Sequence, residues 1–158
     1  MTSSFFTYDK KKVIQALRYH FISRKEIKIL IIFVNVFAIS TALLFFFKKI
    51  SPVAFLTSSL LWFFLMIAFW FVIPYLVYKN AETFKDRFKA ILGDDVFRIE
   101  NEKYGRSWHW KDFSSWIESP YFFHLYFNSR SFFIIPKDAF EGDHVQETRK
   151  ILKEKIRK

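Results

Sequence analysis

Cysteine is absent from this 158-residue sequence, and glycine is scarce, with only three residues. The lack of cysteine excludes disulfide bonds, thiol nucleophiles and cysteine-based metal sites, and it fits a reducing compartment. The sequence also lacks a glycine-rich phosphate loop and a G-x-S-x-G motif. Neither a phosphate-binding loop nor a nucleophile elbow is therefore predicted, and we expect a protein that is not an enzyme.

Histidine is also infrequent, and its spacing does not suggest a metal site. The four histidines are His20, His109, His124 and His144. None has a second histidine or a carboxylate at the spacing that a helical zinc site requires. We expect surface or strand histidines, and no metal or cofactor is predicted.

Apolar and charged residues are abundant, and they are segregated along the chain. The sequence holds 23 Phe, 5 Trp and 7 Tyr, and a quarter of it is charged. Residues 29–47 and 50–78 carry no charge. Because about 20 helical residues cross a bilayer core, we predict transmembrane helices over residues 29–47 and 53–78, with a short external turn at 48–52. The long charged leader before the first run makes a cleaved signal peptide less compatible with the sequence. The small remainder of the chain makes two buried helices of a soluble protein less compatible, because it offers too little material to cover them.

Basic residues flank the two apolar runs, whereas the turn between them holds only Lys48 and Lys49. Cytoplasmic flanks of membrane helices are enriched in lysine and arginine, so we predict that both termini are cytoplasmic and that the membrane is the inner one. This bias accounts for the net charge of +10 without a nucleic-acid partner. The flanking basic residues are Lys10, Lys11, Lys12, Arg18, Arg24, Lys25, Lys28, Lys79, Lys85, Arg87 and Lys89.

The segment before the first run, residues 1–28, is predicted to be cytoplasmic, with a short strand at residues 3–8 and an amphipathic helix. Asp9 suits the N-cap position of that helix. Three apolar residues at helical spacing form one face: Val13, Leu17 and Phe21. The other face is polar and carries Lys11, Lys12, Gln15 and Arg18. The helix either lies in the membrane interface with its basic side toward lipid phosphates or packs on the C-terminal domain.

The segment after the second run, residues 79–93, is predicted to continue the helix into the cytoplasm. Its apolar stripe consists of Phe84, Phe88, Ile91 and Leu92. Gly93 is suited to end this helix at a left-handed position. The C-terminal cytoplasmic domain then spans residues 94–158.

From residue 96 the apolar period changes to two, which indicates strands. The predicted strands are residues 96–100, a strand that contains Trp108 and Trp110, residues 115–118, and a hairpin of 121–127 with 131–135. A final helix follows, with Asp143 and Gln146 as a capping box and with Val145, Leu152 and Ile156 on its buried face. The prediction is an α+β membrane protein: a two-helix transmembrane hairpin plus a small antiparallel sheet closed by a C-terminal helix.

Two motifs in this domain resemble a known family. One is Trp110-x-x-Phe113-x-x-Trp116, and the other is Ile135-Pro136-Lys137-Asp138-Ala139-Phe140. Over roughly residues 95–155 the chain resembles the YcxB-like family of small bacterial membrane proteins. The resemblance implies two N-terminal spans and a C-terminal domain similar in plan to pleckstrin-homology (PH)-like domains, a curled sheet capped by a helix. It implies no catalytic residues.

These observations predict a non-enzymatic, membrane-anchored interaction module that binds a protein partner, a second copy of itself or anionic lipid. An immunity or protection protein against a membrane-acting toxin or bacteriocin is the alternative. We expect Trp110 to be core, whereas Trp116 is a candidate partner contact; Glu100, Glu102 and Glu118 are expected on solvated surfaces. The candidate contact residues for a partner or lipid are Trp116, Arg149, Lys150, Lys153, Arg157, Lys11, Lys12 and Arg18.

Overall fold

A computed structural model describes residues 1–156 of the chain. They form two compact units. The first unit combines residues 1–16 with the residues from 81 onward, and the second is Leu17–Asn80. Helix α1, Lys10–Ser23, begins in the first unit and continues into the second.

The second unit is helical and contains the two apolar runs. Helix α2 is Lys25–Phe46, and after a turn the chain continues as α3, Pro52–Ile67. Ser51 caps α3, because its Oγ accepts a hydrogen bond from the Ala54 N–H at 3.2 Å, and proline suits the first helical position. A π-helical turn, Ala68–Val72, then leads into α4, Ile73–Asn80. Among residues 1–156, the helical segments Lys25–Phe46 and Pro52–Asn80 are long and apolar enough to cross a membrane.

The predicted helical extension over residues 79–93 is wrong. Helix α4 ends at Asn80, a 3₁₀ turn follows at Glu82–Lys85, and strand β1 begins at Lys89. Phe88, Ala90 and Leu92 are buried and recur every second residue, which is the period of a strand. Gly93 lies in the turn after this strand, where its N–H donates to the Val96 carbonyl at 2.9 Å.

The first unit contains two three-stranded antiparallel sheets, where the sequence predicted one. The first sheet has the order β1–β2–β3 and the second the order β4–β5–β6. The strands are β1 (Lys89–Leu92), β2 (Val96–Glu100), β3 (Gly105–His109), β4 (Ser115–Glu118), β5 (Phe122–Tyr126) and β6 (Phe132–Pro136). The predicted hairpin of the last two strands is confirmed, whereas Trp110 lies in a 3₁₀ turn, Trp110–Asp112, and not in a strand.

The N-terminal segment lies along the outer edge of β1. The Ser3 N–H donates to the Ala90 carbonyl at 2.8 Å, and Phe6 and Phe88 exchange two backbone hydrogen bonds. The predicted strand at residues 3–8 is thus reduced to isolated bridges. Asp9 caps α1 as predicted, because its Oδ1 accepts from the Lys12 N–H at 2.9 Å.

The C-terminal helix α5, His144–Lys155, contributes Leu152 to a core that also contains Ile156 and residues of both sheets. The predicted capping box is wrong: within residues 1–156 the Asp143 side chain makes no cap hydrogen bond. Asp143 itself has helical backbone angles, whereas a capping side chain needs an extended N-cap residue. The Gln146 side chain instead accepts a hydrogen bond from Arg149.

Candidate functional site

Arg149 was predicted to contact a partner or lipid, but its guanidinium is engaged by Glu118 of β4. Arg149 Nε and Nη2 donate to the two Glu118 carboxylate oxygens at 2.8 and 2.7 Å, and Lys137 Nζ lies 2.6 Å from Oε1. The hydrogen bonds from Arg149, and then those from Lys137, lower the pKa of Glu118 to about 2. Contact with Glu118 raises the pKa of Arg149. Glu118 is therefore a structural ion-pair centre, which corrects the prediction of a solvated face.

Two further predicted contact residues also bind groups of the chain itself. Lys12 Nζ lies 2.6 Å from Asp138 Oδ2, and Arg18 Nε donates to the Trp70 carbonyl at 2.8 Å. Lys11, Lys150 and Lys153 are exposed. Arg157 lies outside the described residues.

The tryptophans of the first unit occupy three different environments. Trp110 is buried, and its Nε1 donates to the Gly93 carbonyl at 3.0 Å, so its predicted place in the core is confirmed. Trp116 is half-buried on β4, with its ring 6.3 Å from that of Phe123. Trp108 is also half-buried and lines a cleft of this unit.

This cleft has a volume of about 330 Å³ and an apolar lining with a polar margin. Its apolar side chains are Phe88, Ile99, Trp108 and Phe133, which are buried or half-buried. Its polar margin is exposed and carries both signs of charge: Glu82, Thr83, Asp86, Tyr104 and Arg106. A smaller polar depression of about 250 Å³ shares Asp86 and Tyr104 with it. Sequence reasoning missed the cleft because residues 82–88 were predicted to be helical.

Strand β3 forms one side of this cleft and is an edge strand. In the part of the chain that the structure describes, β3 pairs with β2 and with no other strand. Arg106 and Trp108 alternate with Gly105, Ser107 and His109, so they share a face. The Arg106 guanidinium lies 5.3 Å from the centre of the Trp108 ring. The cleft thus combines an apolar pocket with an open backbone edge.

The four histidines lie in four different elements of the structure, α1, β3, β5 and α5. Among the residues described, no group of three or more histidine, aspartate or glutamate side chains is arranged to hold a metal ion. His124 lies on strand β5, which agrees with the expectation of a strand position, and its Nε2 is 2.9 Å from Ser119 Oγ. His20 is buried on α1, which corrects the expectation of a surface position.

Comparison with known proteins gives a family. The family model described as YcxB-like protein matches residues 92–152. No curated protein matches the chain, and no solved structure matches it. The matched segment runs from the last residue of β1 into α5 and contains both motifs that suggested the family. The family predicted from the sequence is therefore confirmed by a match over residues 92–152, the part of the chain that is similar to the YcxB-like family.

Proposed function

We propose that this chain is a non-enzymatic interaction module anchored in the bacterial inner membrane, and that the cleft beside β3 binds an extended segment of a partner protein. The observation that carries this proposal is the open edge of β3 next to an apolar pocket. The second unit is the anchor. The first unit, with a PH-like plan, is the cytoplasmic domain that binds the partner.

The anchor is supported by the surface of the two long helices. Within the most apolar window of each, only 6% of the residues are buried, so the apolar side chains face outward. Phe33, for example, is 70% exposed. In water such a surface would be strongly unfavourable, whereas lipid solvates it. This surface is therefore more stable in the hydrocarbon of a bilayer than in water.

The topology of the first unit supports a hairpin. Residues 1–16 and the residues from 81 onward belong to one folded unit. If residues between them enter a bilayer, they must leave it on the side from which they came. The basic flanks then favour the cytoplasmic side. Two antiparallel sheets with a C-terminal helix on their shared core support the PH-like plan.

Binding by strand addition fits the geometry of β3. An edge strand presents backbone N–H and carbonyl groups that another strand can pair with. A partner strand beside β3 would place alternate side chains on the face that carries Arg106 and Trp108. Those side chains would enter the pocket that Trp108 and Phe133 line together with Phe88 and Ile99. The exposed charges of Asp86 and Arg106 would orient polar neighbours in the partner.

Site-specific photo-crosslinking in intact membranes tests this proposal. A photoreactive amino acid replaces Tyr104, which is 62% exposed at the cleft, or Ser107 on β3. Glu154, exposed on α5, is the matched control position. We expect adducts to a discrete protein at Tyr104 and Ser107 and a clearly weaker yield at Glu154. Equal yields at all three positions, or lipid adducts alone, would contradict the proposal.

A further inference from the structure

The second unit contains an irregularity where its second long helix approaches its end. Residues Ala68–Val72 form a π-helical turn, in which the Ile73 N–H donates to the Ala68 carbonyl, five residues back. Pro74 follows in α4, and proline has no N–H to donate to the carbonyl four residues earlier. That carbonyl belongs to Trp70, and Arg18 of α1 donates to it at 2.8 Å. π-Helical turns are rare and often occur at functional sites.

A small cavity lies against this irregular segment. It has a volume of about 80 Å³ and is apolar apart from one arginine. Phe69, Trp70 and Ile73 line it on one side. Phe21, Ile22, Ile27 and Ile31, from α1 and α2, complete the apolar lining. Its single charged lining residue is Arg24, which immediately precedes α2.

The Arg24 side chain is 28% exposed, but one of its guanidinium nitrogens faces the interior. Its Nε is buried, and among residues 1–156 it has no hydrogen-bond partner. The carboxylate in ion-pair range is that of Glu26, at 3.6 Å, which is too long for a hydrogen bond. Glu26 is 71% exposed at its side chain, so water competes for it. A buried donor without a partner is unfavourable, and a charged one favours an anion strongly.

The surroundings of Arg24 favour an anion further. Arg24 is the N-cap residue of the 22-residue helix α2, whose positive dipole end attracts negative charge. His20, which is buried nearby on α1, does not supply a second cation at neutral pH. Burial and the Arg24 charge lower the pKa of His20 to about 4. The exposed residues Lys25 and Lys28 add a diffuse positive field.

We infer that this cavity and Arg24 form a binding site for one anionic phospholipid, with its phosphate on the Arg24 guanidinium and the start of an acyl chain in the apolar cavity. This rests on the membrane anchoring proposed above, because Arg24 stands at the boundary between the charged leader and the first apolar helix. Arginine at such a boundary lies at headgroup depth. A lipid supplies both an anion that complements Arg24 and an apolar group that fits the cavity. A free phosphate ion supplies only the anion.

Native mass spectrometry of the full chain in neutral detergent tests the site. The delipidated protein is titrated with phosphatidylglycerol, with phosphatidylcholine and with inorganic phosphate. We expect one phosphatidylglycerol per chain, and weaker retention of phosphatidylcholine. Arg24→Gln should weaken phosphatidylglycerol binding about tenfold or more, the effect of losing a charge-assisted hydrogen bond. Ile31→Trp should weaken it as well, because it fills the cavity without a change in charge.

Lys28→Gln is the matched control, since it removes one positive charge outside the cavity lining. It should change lipid binding by less than about twofold, as expected for a screened surface charge. Equal losses in Arg24→Gln and Lys28→Gln would overturn the site and indicate nonspecific attraction. Displacement of the lipid by millimolar inorganic phosphate would also overturn it, in favour of a free-ion site. Circular dichroism of each variant, together with an Arg24→Lys variant that retains the charge, separates loss of binding from loss of fold.

Failure of this site and failure of the proposed function give different results. Alkaline extraction of membranes reports on the anchor, because an integral protein stays in the pellet. If the chain is extracted, the anchoring part of the proposed function fails. If it stays in the pellet while Arg24→Gln and Lys28→Gln bind lipid equally, the anchor stands and the lipid site fails.

Discussion

The two units of this protein contain similar apolar side chains in opposite settings. In the first unit Phe97 is completely buried and its ring lies within 6.3 Å of those of Trp108, Trp110, Phe113 and Phe133. In the second unit Phe33 is 70% exposed. The difference lies in patterning, because the first unit alternates apolar and polar residues whereas the second has unbroken apolar runs. Apolar content alone therefore does not tell which solvent a segment requires.

The comparison also predicts where each unit is vulnerable. The first unit excludes water from its core, so the loss of core volume should unfold it. The second unit presents its apolar surface outward, so the loss of one outward side chain should matter little while the gain of a charge should matter much. Three experiments, from the largest expected effect to the smallest, challenge or refine this contrast.

Phe97→Ala should lower the unfolding free energy of the first unit by about 3–5 kcal/mol, because it leaves a cavity in a packed core. Phe33→Ala in α2 should change stability by less than about 1 kcal/mol, as is usual for outward positions. Urea unfolding of the full chain in detergent, followed by tryptophan fluorescence, measures both variants. Similar losses in the two variants would remove the contrast between the units.

Val36→Lys, near the middle of α2 and 55% exposed, should disfavour membrane insertion by about 2.5–3.5 kcal/mol. Thr7→Lys adds the same charge to an exposed position of the first unit and should leave the membrane fraction unchanged. Alkaline extraction of membranes from cells that express each variant measures the effect. Full retention of Val36→Lys in the pellet would argue that α2 does not face lipid.

Glu118→Gln should lower stability by roughly 1–3 kcal/mol at neutral pH, because the charge-assisted hydrogen bonds from Arg149 and Lys137 weaken. The Glu118 pKa is about 2 in the folded chain, below its ordinary value of 4.5. Its stabilising contribution is therefore fully present above pH 4.5 and is lost as pH falls from 4.5 to about 2. Unfolding measured across this range should show less acid sensitivity in Glu118→Gln than in the unaltered chain. Parallel pH profiles of the two proteins would contradict the assignment.

Local patterns in the sequence predict much of the architecture. The alternation of Phe97 and Ile99 with Arg98 and Glu100 predicts a strand where the structure has β2, and the apolar runs predict the two long helices. The wrong prediction of a helix after the second apolar run has a local cause. Between residues 84 and 92 a helical stripe and an alternating strand pattern both place Phe88 and Leu92 on the buried side, and so short a segment does not distinguish the two patterns.

The candidate sites were beyond prediction because they depend on contacts distant in sequence. The cleft beside β3 combines side chains from the 82–88 segment, from β2 and β3 and from β6. Glu118 acquires its role from Arg149, 31 residues away, and nothing in its neighbourhood along the chain indicates that ion pair. In the sequence, Arg24 is one of many basic residues that flank the apolar runs. In the structure, the burial of its Nε distinguishes it from Lys25 and Lys28.

The pairing of the N-terminal segment with β1 has a consequence for biosynthesis. Met1 and Leu92 exchange backbone hydrogen bonds across 91 positions of sequence. A ribosome adds about 5–20 residues per second, so the first residues wait for their partner strand while the apolar helices between them are made. During that interval the backbone groups of the N-terminal segment lack the partners that β1 provides in the folded chain. A delay in the synthesis of the helices between them would then appear as misfolding of the first unit, although the delay arises in the second.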